Sequence, residues 1–385
     1  MKKIAAVTGS RSDYGLMKPL LEKINESSSL KLFLLVTGNH LSKKAGYTIR
    51  EIRKDRFKIT REININVCPK KPADTAKSCG KGIIKFSNSL SLIKPDILVV
   101  LGDRYEMLAA ALAALPLKIP VAHISGGEIS RGAIDENIRH TLTKLSHLHF
   151  PINKQCAQRV RQMGEEPWRI NTVGSLSIDD INKKQLLSKG ALENKLGVSF
   201  TKGVILFVYH PVTLEYEHTE TQINNILSAL RRIDKQIVAL YPNLDTGGDI
   251  IIDHLRRFAQ TNKNVLLFKN LPRMEYLSLL NTVDLLIGNS SSGIVESPYF
   301  KLPVVNIGNR QNGRDVSENV IDTDYEKENI IKTIERALYD KKFKNKLKRV
   351  KNPYGNGNAA QRIVKALAQI EINKDLLMKK FSKLQ

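Results

Sequence analysis

The feature of this chain that most restricts its fold is an alternation, run through twice, of short β-branched or aliphatic segments with longer amphipathic ones. That is the pattern of parallel strands joined by crossover helices, and it predicts an α/β protein. In the first half the expected strands are Ile4 to Val7, Leu32 to Val36, Ile97 to Leu101, Val121 to Ile124, His149 to Pro151 and Ile170 to Val173. Several end in a small or polar residue that opens a loop: Thr8-Gly9, Thr37-Gly38, Gly102-Asp103 and Ser125-Gly126. A polar, lysine-rich stretch from Lys183 to Lys202 then marks a linker and hinge near residues 175–200. The second series follows, with strands expected at Val204 to Val208, Gln236 to Leu240, Val265 to Phe268, Leu285 to Ile287 and Val304 to Ile307. We expect two doubly wound domains, residues 1–180 and 181–357. The tail 358–385, helical over Asn358 to Ile370, is expected to return to the first domain. Two such domains in tandem are expected to leave a cleft between their strand ends, where open parallel sheets bind ligands.

A length of 385 residues suits about two domains of roughly 150 to 200 residues each. With 42% apolar and 26% charged residues, the composition excludes a disordered or collagen-like chain. The 61 Lys and Arg against 38 Asp and Glu give a net charge of +23, which invites nucleic acid, an anionic membrane surface or a phosphorylated small molecule. The basic residues are scattered along helical-looking stretches such as Lys341 to Lys351, and no RNP, KH, helix-turn-helix or zinc-finger pattern is present. Most of the excess is therefore assigned to solvated surface and a smaller share to an anion-binding cleft; no nucleic-acid partner is expected. Cys68, Cys79 and Cys156 stand at spacings that fit neither paired disulfides nor a C-x-x-C site, which points to a reducing compartment. The N-terminal apolar run is too short for a signal peptide and is interrupted by Gly9, Arg11 and Asp13. No apolar stretch approaches the ~20 residues that cross a bilayer. A cytoplasmic protein without membrane contact is expected.

The loops at the strand ends carry the chemistry. Gly9-Ser10-Arg11-Ser12-Asp13-Tyr14-Gly15 joins a strand to a helix expected to start near Leu16. Free N–H groups and Arg11 there favour an anion, though Asp13 acting as a helix cap explains the turn as well. The loop lacks G-x-G-x-x-G and G-x-x-x-x-G-K-[ST], which argues against a dinucleotide or P-loop site. Gly102-Asp103-Arg104-Tyr105-Glu106 sets an acid and an arginine at a strand end; proton transfer by Asp103 and phosphate binding by Arg104 compete with plain N-capping. His123-Ile124-Ser125-Gly126-Gly127-Glu128 offers a Gly-Gly loop for close ligand approach. Asp135 and Arg139 follow at i and i+4, a spacing that a surface ion pair explains nearly as well as a site. His147 and His149 form a period-2 pair with no carboxylate or cysteine at a metal-ligand spacing, so no metal is expected. In the second half the corresponding loops are Tyr209-His210-Pro211-Val212-Thr213, Tyr241 to Gly247, Gly288-Asn289-Ser290-Ser291-Ser292-Gly293 before a helix containing Glu296, and Gly308 to Arg314. The small-residue run suits N–H and hydroxyl groups wrapped around a phosphate.

Taken in order, GSRSDYG, GDRYE, HISGGE with DENIRH and TKLSH, HPVT, YPNLDTG, GNSSSGIVE and GNRQNGR resemble the UDP-N-acetylglucosamine 2-epimerases over most of the chain. RSDYG stands where the non-hydrolysing enzymes carry Arg-Pro-Glu, and HPVT where they carry a His-Arg-Arg-Glu-Asn type of motif. Both place the chain nearer the hydrolysing branch that feeds sialic and related nonulosonic acid synthesis. The resemblance implies a GT-B-like pair of Rossmann-like domains that hold a UDP-sugar without a cofactor, in an enzyme that forms dimers or tetramers. It implies proton transfer by Asp103 and Asp135, a catalytic role for His210 near the diphosphate and sugar, phosphate contacts from Arg11, Ser290 and Ser291, and ribose binding by Glu296. Arg104, Asn243, Arg310 and Arg314 follow as further substrate contacts. Many relatives read His-Ile-Glu-Gly-Gly-Glu where this chain has Ser125, with one extra residue before Asp135; Glu128 is the expected substitute acid. The implied reaction converts UDP-N-acetylglucosamine and water to N-acetylmannosamine and UDP through 2-acetamidoglucal. UDP-N,N′-diacetylbacillosamine as donor and a glycosyltransferase of the same fold are the alternatives.

Overall fold

A computed structural model describes residues 1–382 apart from 44–45, 66–71, 130–133, 180, 182–185 and 243–246. The chain divides into two units, Met1–Asp180 with Tyr354–Gln385, and Ile181–Pro353. Six parallel strands form the sheet of the first unit: β1 (Lys2–Thr8), β2 (Leu30–Thr37), β3 (Ile59–Ile63), β4 (Ile97–Leu101), β5 (Val121–Ile124) and β6 (Leu148–Phe150), in the order β3-β2-β1-β4-β5-β6. β4, Ile-Leu-Val-Val-Leu, is buried along its whole length, as a central strand covered on both faces must be. From β1 the sheet grows one way and from β4 the other, so the gap between their carboxyl ends is the topological switch point.

The helix after β1 starts at Arg11, five residues earlier than expected, because the Ser10 side chain caps it by accepting the Asp13 N–H. Asp13 is thus no cap but a first-turn residue on the buried face, four and seven residues before Met17 and Leu20. The helix Ala359–Gln369 lays Ala359, Ala360, Ile363 and Leu367 into the same core. The Asp179 carboxylate accepts its first amides, Ala359 N–H at 2.9 Å and Ala360 N–H at 2.6 Å.

The second unit repeats the topology. β7 (Val204–Val208), β8 (Gln236–Leu240), β9 (Val265–Phe268), β10 (Leu285–Gly288), β11 (Val304–Ile307) and β12 (Val320–Thr323) are parallel in the order β12-β11-β10-β7-β8-β9, with the switch point between β7 and β10. Two edge strands escaped the sequence reading: β3, Ile-Thr-Arg-Glu-Ile, and β12, Val-Ile-Asp-Thr, are half polar, since one side of an edge meets water. Ile170–Val173, expected as a strand, makes only a single bridge, His149 to Ile170. The stretch expected as a linker contains helices Leu176–Asp179 and Lys189–Leu196, the latter anchored by buried Leu192; Lys183 and Lys184 lie outside the described residues. Among the described residues no helix is long and apolar enough to cross a membrane.

Candidate functional site

At the switch point of the first sheet, β4 runs into Gly102-Asp103-Arg104. Its helix, Tyr105–Ala114, begins with Arg104 at the cap position and no side-chain cap. Asp103 therefore does not cap: its Oδ2 meets the guanidinium of Arg139, which comes from the helix Ile134–Leu145 and is only 5% exposed. Arg139 is buried rather than on the surface. Asp135 is half-buried in the first turn of that helix, and Glu128 half-buried in the loop after β5. His123, fully buried in β5, lies with Nε2 2.7 Å from the Gly102 carbonyl; burial holds its pKa down at about 4, so the neutral ring donates. The loop that carries Asp103 is thereby tied to the neighbouring strand.

The Gly126-Gly127 pair sits in close packing. A Cβ on Gly126 would stand 3.0 Å from His123 Nδ1, and one on Gly127, at φ +80°, 2.2 Å from the Cys156 carbonyl oxygen. His147 and His149 also have structural partners. His147 Nδ1 accepts the Val121 N–H at 3.1 Å, and His149 Nε2 lies 2.9 Å from buried Glu165. Among the described residues no group of three His, Cys, Asp or Glu stands together as a metal site.

A second polar cluster at the same strand ends went unnoticed in the sequence. The Arg104 guanidinium donates twice to Glu106, Nε to Oε2 at 3.1 Å and Nη2 to Oε1 at 2.7 Å, and Glu106 is wholly buried. Asp13 Oδ2 lies 3.9 Å from Arg104 Nε and has no hydrogen-bond partner among the described residues. Burial pushes the Asp13 carboxyl up to about 6, against the opposing pull of Arg104 and Ser10. Gly38, at φ +62°, closes the cluster from β2: a Cβ there would lie 2.5 Å from the Gly9 carbonyl oxygen and 2.8 Å from Glu106 Oε1. His40 fills the remaining side with Nε2 3.0 Å from Thr8 Oγ1, and burial lowers it to about 4. The available signal was the helical register that puts Asp13 on the apolar stripe. Arg11 is exposed and pairs with Glu51 at 3.2 Å.

In the second unit β7 and β10 approach so closely that a Cβ on Gly288, at φ +132°, would fall 2.0 Å from the Val208 carbonyl oxygen. Buried Asn289 then binds both backbone groups of His210, and its own carbonyl accepts Arg310 Nη1 at 3.1 Å and Gln311 Nε2 at 2.7 Å. His210 and Arg310 are thus brought to one residue. The Ser290 hydroxyl accepts the Ser292 N–H at 3.4 Å, and Ser291 occupies the cap position of the short helix Ser292–Val295. Glu296 lies at the junction of that helix with Ser297–Phe300 and is 6% exposed. Its carboxylate accepts Ser292 Oγ at 2.7 Å and pairs with Arg273 at 2.6 Å, while Tyr276 donates to Ser292 at 2.7 Å. Glu215 accepts from Gln222 at 2.8 Å, Tyr325 at 3.0 Å and Asn309, joining the loops after β7 and β11. Arg314 lies at the end of the turn after β11, and Asn243 lies outside the described residues.

Two Rossmann-like units with polar side chains gathered at the carboxyl ends of their central strands define a GT-B-like protein. The chain belongs to the UDP-N-acetylglucosamine 2-epimerase family, which it matches over residues 22–368, in agreement with the resemblance of its loops. It is 37% identical over 379 residues to the UDP-N,N′-diacetylbacillosamine 2-epimerase (hydrolyzing) of Legionella pneumophila, covering 98% of this chain and 99% of that one. It is 39% identical over 325 residues to the GDP/UDP-N,N′-diacetylbacillosamine 2-epimerase (hydrolyzing) of Campylobacter jejuni, covering 84% of each. Among solved structures, the UDP-GlcNAc 2-epimerase of Neisseria meningitidis bound to UDP-GlcNAc superposes with a TM-score of 0.79 at 21% identity, covering 96% of this chain and 100% of that one.

Proposed function

We propose that the protein is a hydrolysing 2-epimerase that converts UDP-N-acetylglucosamine and water to N-acetylmannosamine and UDP for nonulosonic acid synthesis. The hydrolysing reaction is carried by the match, over 98% of the chain, to a hydrolysing UDP-N,N′-diacetylbacillosamine 2-epimerase, and the donor by the UDP-N-acetylglucosamine 2-epimerase of Neisseria meningitidis, 35% identical over 89% of each chain. The polar residues at the two switch points supply what such a reaction requires. The C2 proton of the sugar is not acidic. The C1–O bond to UDP must therefore break, its electron pair leaving with the diphosphate, as a carboxylate removes that proton. The product, 2-acetamidoglucal, then takes water oxygen at C1 and a proton at C2 on the opposite face. Asp103, Asp135 and Glu128 are the proton-transfer groups of this reading. His210, Ser290, Ser291, Arg310 and Arg314 face the departing diphosphate, with Arg11, Arg104 and Asn243 as further contacts, and Glu296 holds the ribose hydroxyls. No cofactor takes part. The enzyme acts in the cytoplasm as a homo-oligomer, a state that light scattering measures.

A second reading, UDP-N,N′-diacetylbacillosamine as donor, is favoured by the two relatives at 37% and 39% identity. The two sugars differ only at C4 and C6, away from the reacting carbons. Incubating the purified protein with each donor and no acceptor, and following UDP and the free sugar by NMR, decides between them. Release of a C2-inverted sugar supports the proposal. UDP-sugar consumption that demands an acceptor would point to a glycosyltransferase instead, and inertness toward both donors would overturn the reading.

A further inference from the structure

Arg104 is held from one edge only. Its Nε and Nη2 grip Glu106, its Nη1 has no hydrogen-bond partner among the described residues, and the side chain is 32% exposed. Beside it, Asp13 Oδ2, 3.9 Å from Arg104 Nε, has no hydrogen-bond partner among the described residues although the residue is only 9% exposed. The other ionisable groups around Asp13 do not offset its charge. Glu106, from the start of the helix Tyr105–Ala114, is a second acid; His40, from the turn after β2, is neutral by burial; Cys79, on the far side of Glu106, has its thiol raised by burial. On the helix of Asp13 itself, Arg11 is turned to Glu51 and Tyr14 donates to Asp55. One guanidinium therefore faces two carboxyls, and only one of these is bound to it in a bidentate pair.

We propose that Asp13 is a positioning residue for Arg104: protonated, it leaves the guanidinium one counter-charge and an open Nη1 edge for an anionic group of the substrate; ionised, it competes with that anion. This rests on the reading of Arg104 as a contact of the UDP-sugar. The charge count gives the sense of the effect. With Glu106 ionised, the cluster is neutral when Asp13 carries a proton and −1 when it does not, so an arriving diphosphate favours the protonated form. The Asp13 carboxyl changes state near pH 6, so the handicap grows as pH rises above that point.

Isothermal titration calorimetry with UDP, from about pH 5.5 to about pH 8.5, tests this on wild type and Asp13→Asn. The Asn variant, permanently neutral, is expected to bind UDP about three- to tenfold more tightly than wild type near pH 8, the two converging near pH 5.5. Ionisation of UDP itself is common to both and cancels in the ratio. A residue that merely supports the fold would weaken binding at every pH. A ratio that does not vary with pH, or an Asn variant weaker throughout, would overturn the proposal. Where Asp13→Asn does not fold, Arg104→Ala serves: its UDP affinity is expected to lose the steeper decline that wild type shows above pH 6, and an identical pH dependence counts against the proposal. If neither wild type nor variants bind UDP at any pH, the UDP-sugar reading itself fails, and this inference with it.

Discussion

The backbone N–H of His210 donates to Asn289 Oδ1 at 2.7 Å, and Asn289 Nδ2 returns a bond to the His210 carbonyl at 2.8 Å. One side chain thus continues the ladder between β7 and β10 beyond the point where Gly288 ends the strand. Asn289→Ala is expected to cost about 1–3 kcal/mol of stability, because both His210 backbone groups lose their partner. It should also lower kcat/KM about tenfold or more by freeing the His210 loop. Thermal melts and steady-state UDP release measure the two effects. An Asn289→Ala enzyme with wild-type kinetics would mean that His210 needs no such anchor.

Asp103 faces the buried guanidinium of Arg139. Asp103→Asn keeps the shape but not the charge and is expected to reduce turnover about 100-fold or more, with UDP affinity changed by less than about threefold. Asp135→Asn should behave alike. Near-normal turnover in both variants would remove these acids from the proton-transfer scheme.

In the second unit Glu296 already has both carboxylate oxygens engaged by Ser292 and Arg273, whereas the Ser290 hydroxyl accepts the Ser292 N–H at a long 3.4 Å and has the Tyr276 hydroxyl as a neighbour. Ser290 is therefore the readier of the two to meet a phosphate. Ser290→Ala should weaken UDP binding about three- to tenfold while leaving kcat at saturating donor nearly unchanged. Calorimetry and steady-state kinetics on one preparation separate the two; a fall in kcat at constant UDP affinity would contradict this role.

Glu165, wholly buried, accepts His149 at 2.9 Å and Lys144 at 2.6 Å and pairs with Lys379 at 2.8 Å. Burial alone would raise its pKa, but these partners outweigh it and hold the carboxyl down at about 2. Its stabilisation is present above the unfolded-state value and is lost as pH falls from about 4.5 toward 2. The wild type should thus lose on the order of 3 kcal/mol across that window through this group. Glu165→Gln should melt lower at neutral pH and show a shallower acid limb. Equal acid sensitivity in the two proteins would locate the loss elsewhere.

The local rules already specified much of the fold. The fully apolar strand β4, the Gly102 turn after it and the crossover spacing identify an α/β chain without reference to tertiary contacts. The polar edge strands β3 and β12 were hidden because their residues serve water on one side. Ile170–Val173 looked like a strand because three of its four residues are β-branched, yet only Val173 is buried and the segment makes a single bridge. Asp13 was misjudged for a related reason: its chemistry suits a helix cap, and only the position of Ser10 one turn earlier shows that the cap is taken.

From the linear chain alone came the ordered loop motifs, and with them the family, because motif order survives without any knowledge of distance. Tertiary structure decided which charges meet. Asp103 and Arg139 are separated by 36 positions, and Asp13 and Arg104 by 91, yet each pair stands at the end of the same sheet. The reason is topological: parallel strands joined by crossovers bring distant loops to one edge, and burial there raises the Asp13 carboxyl.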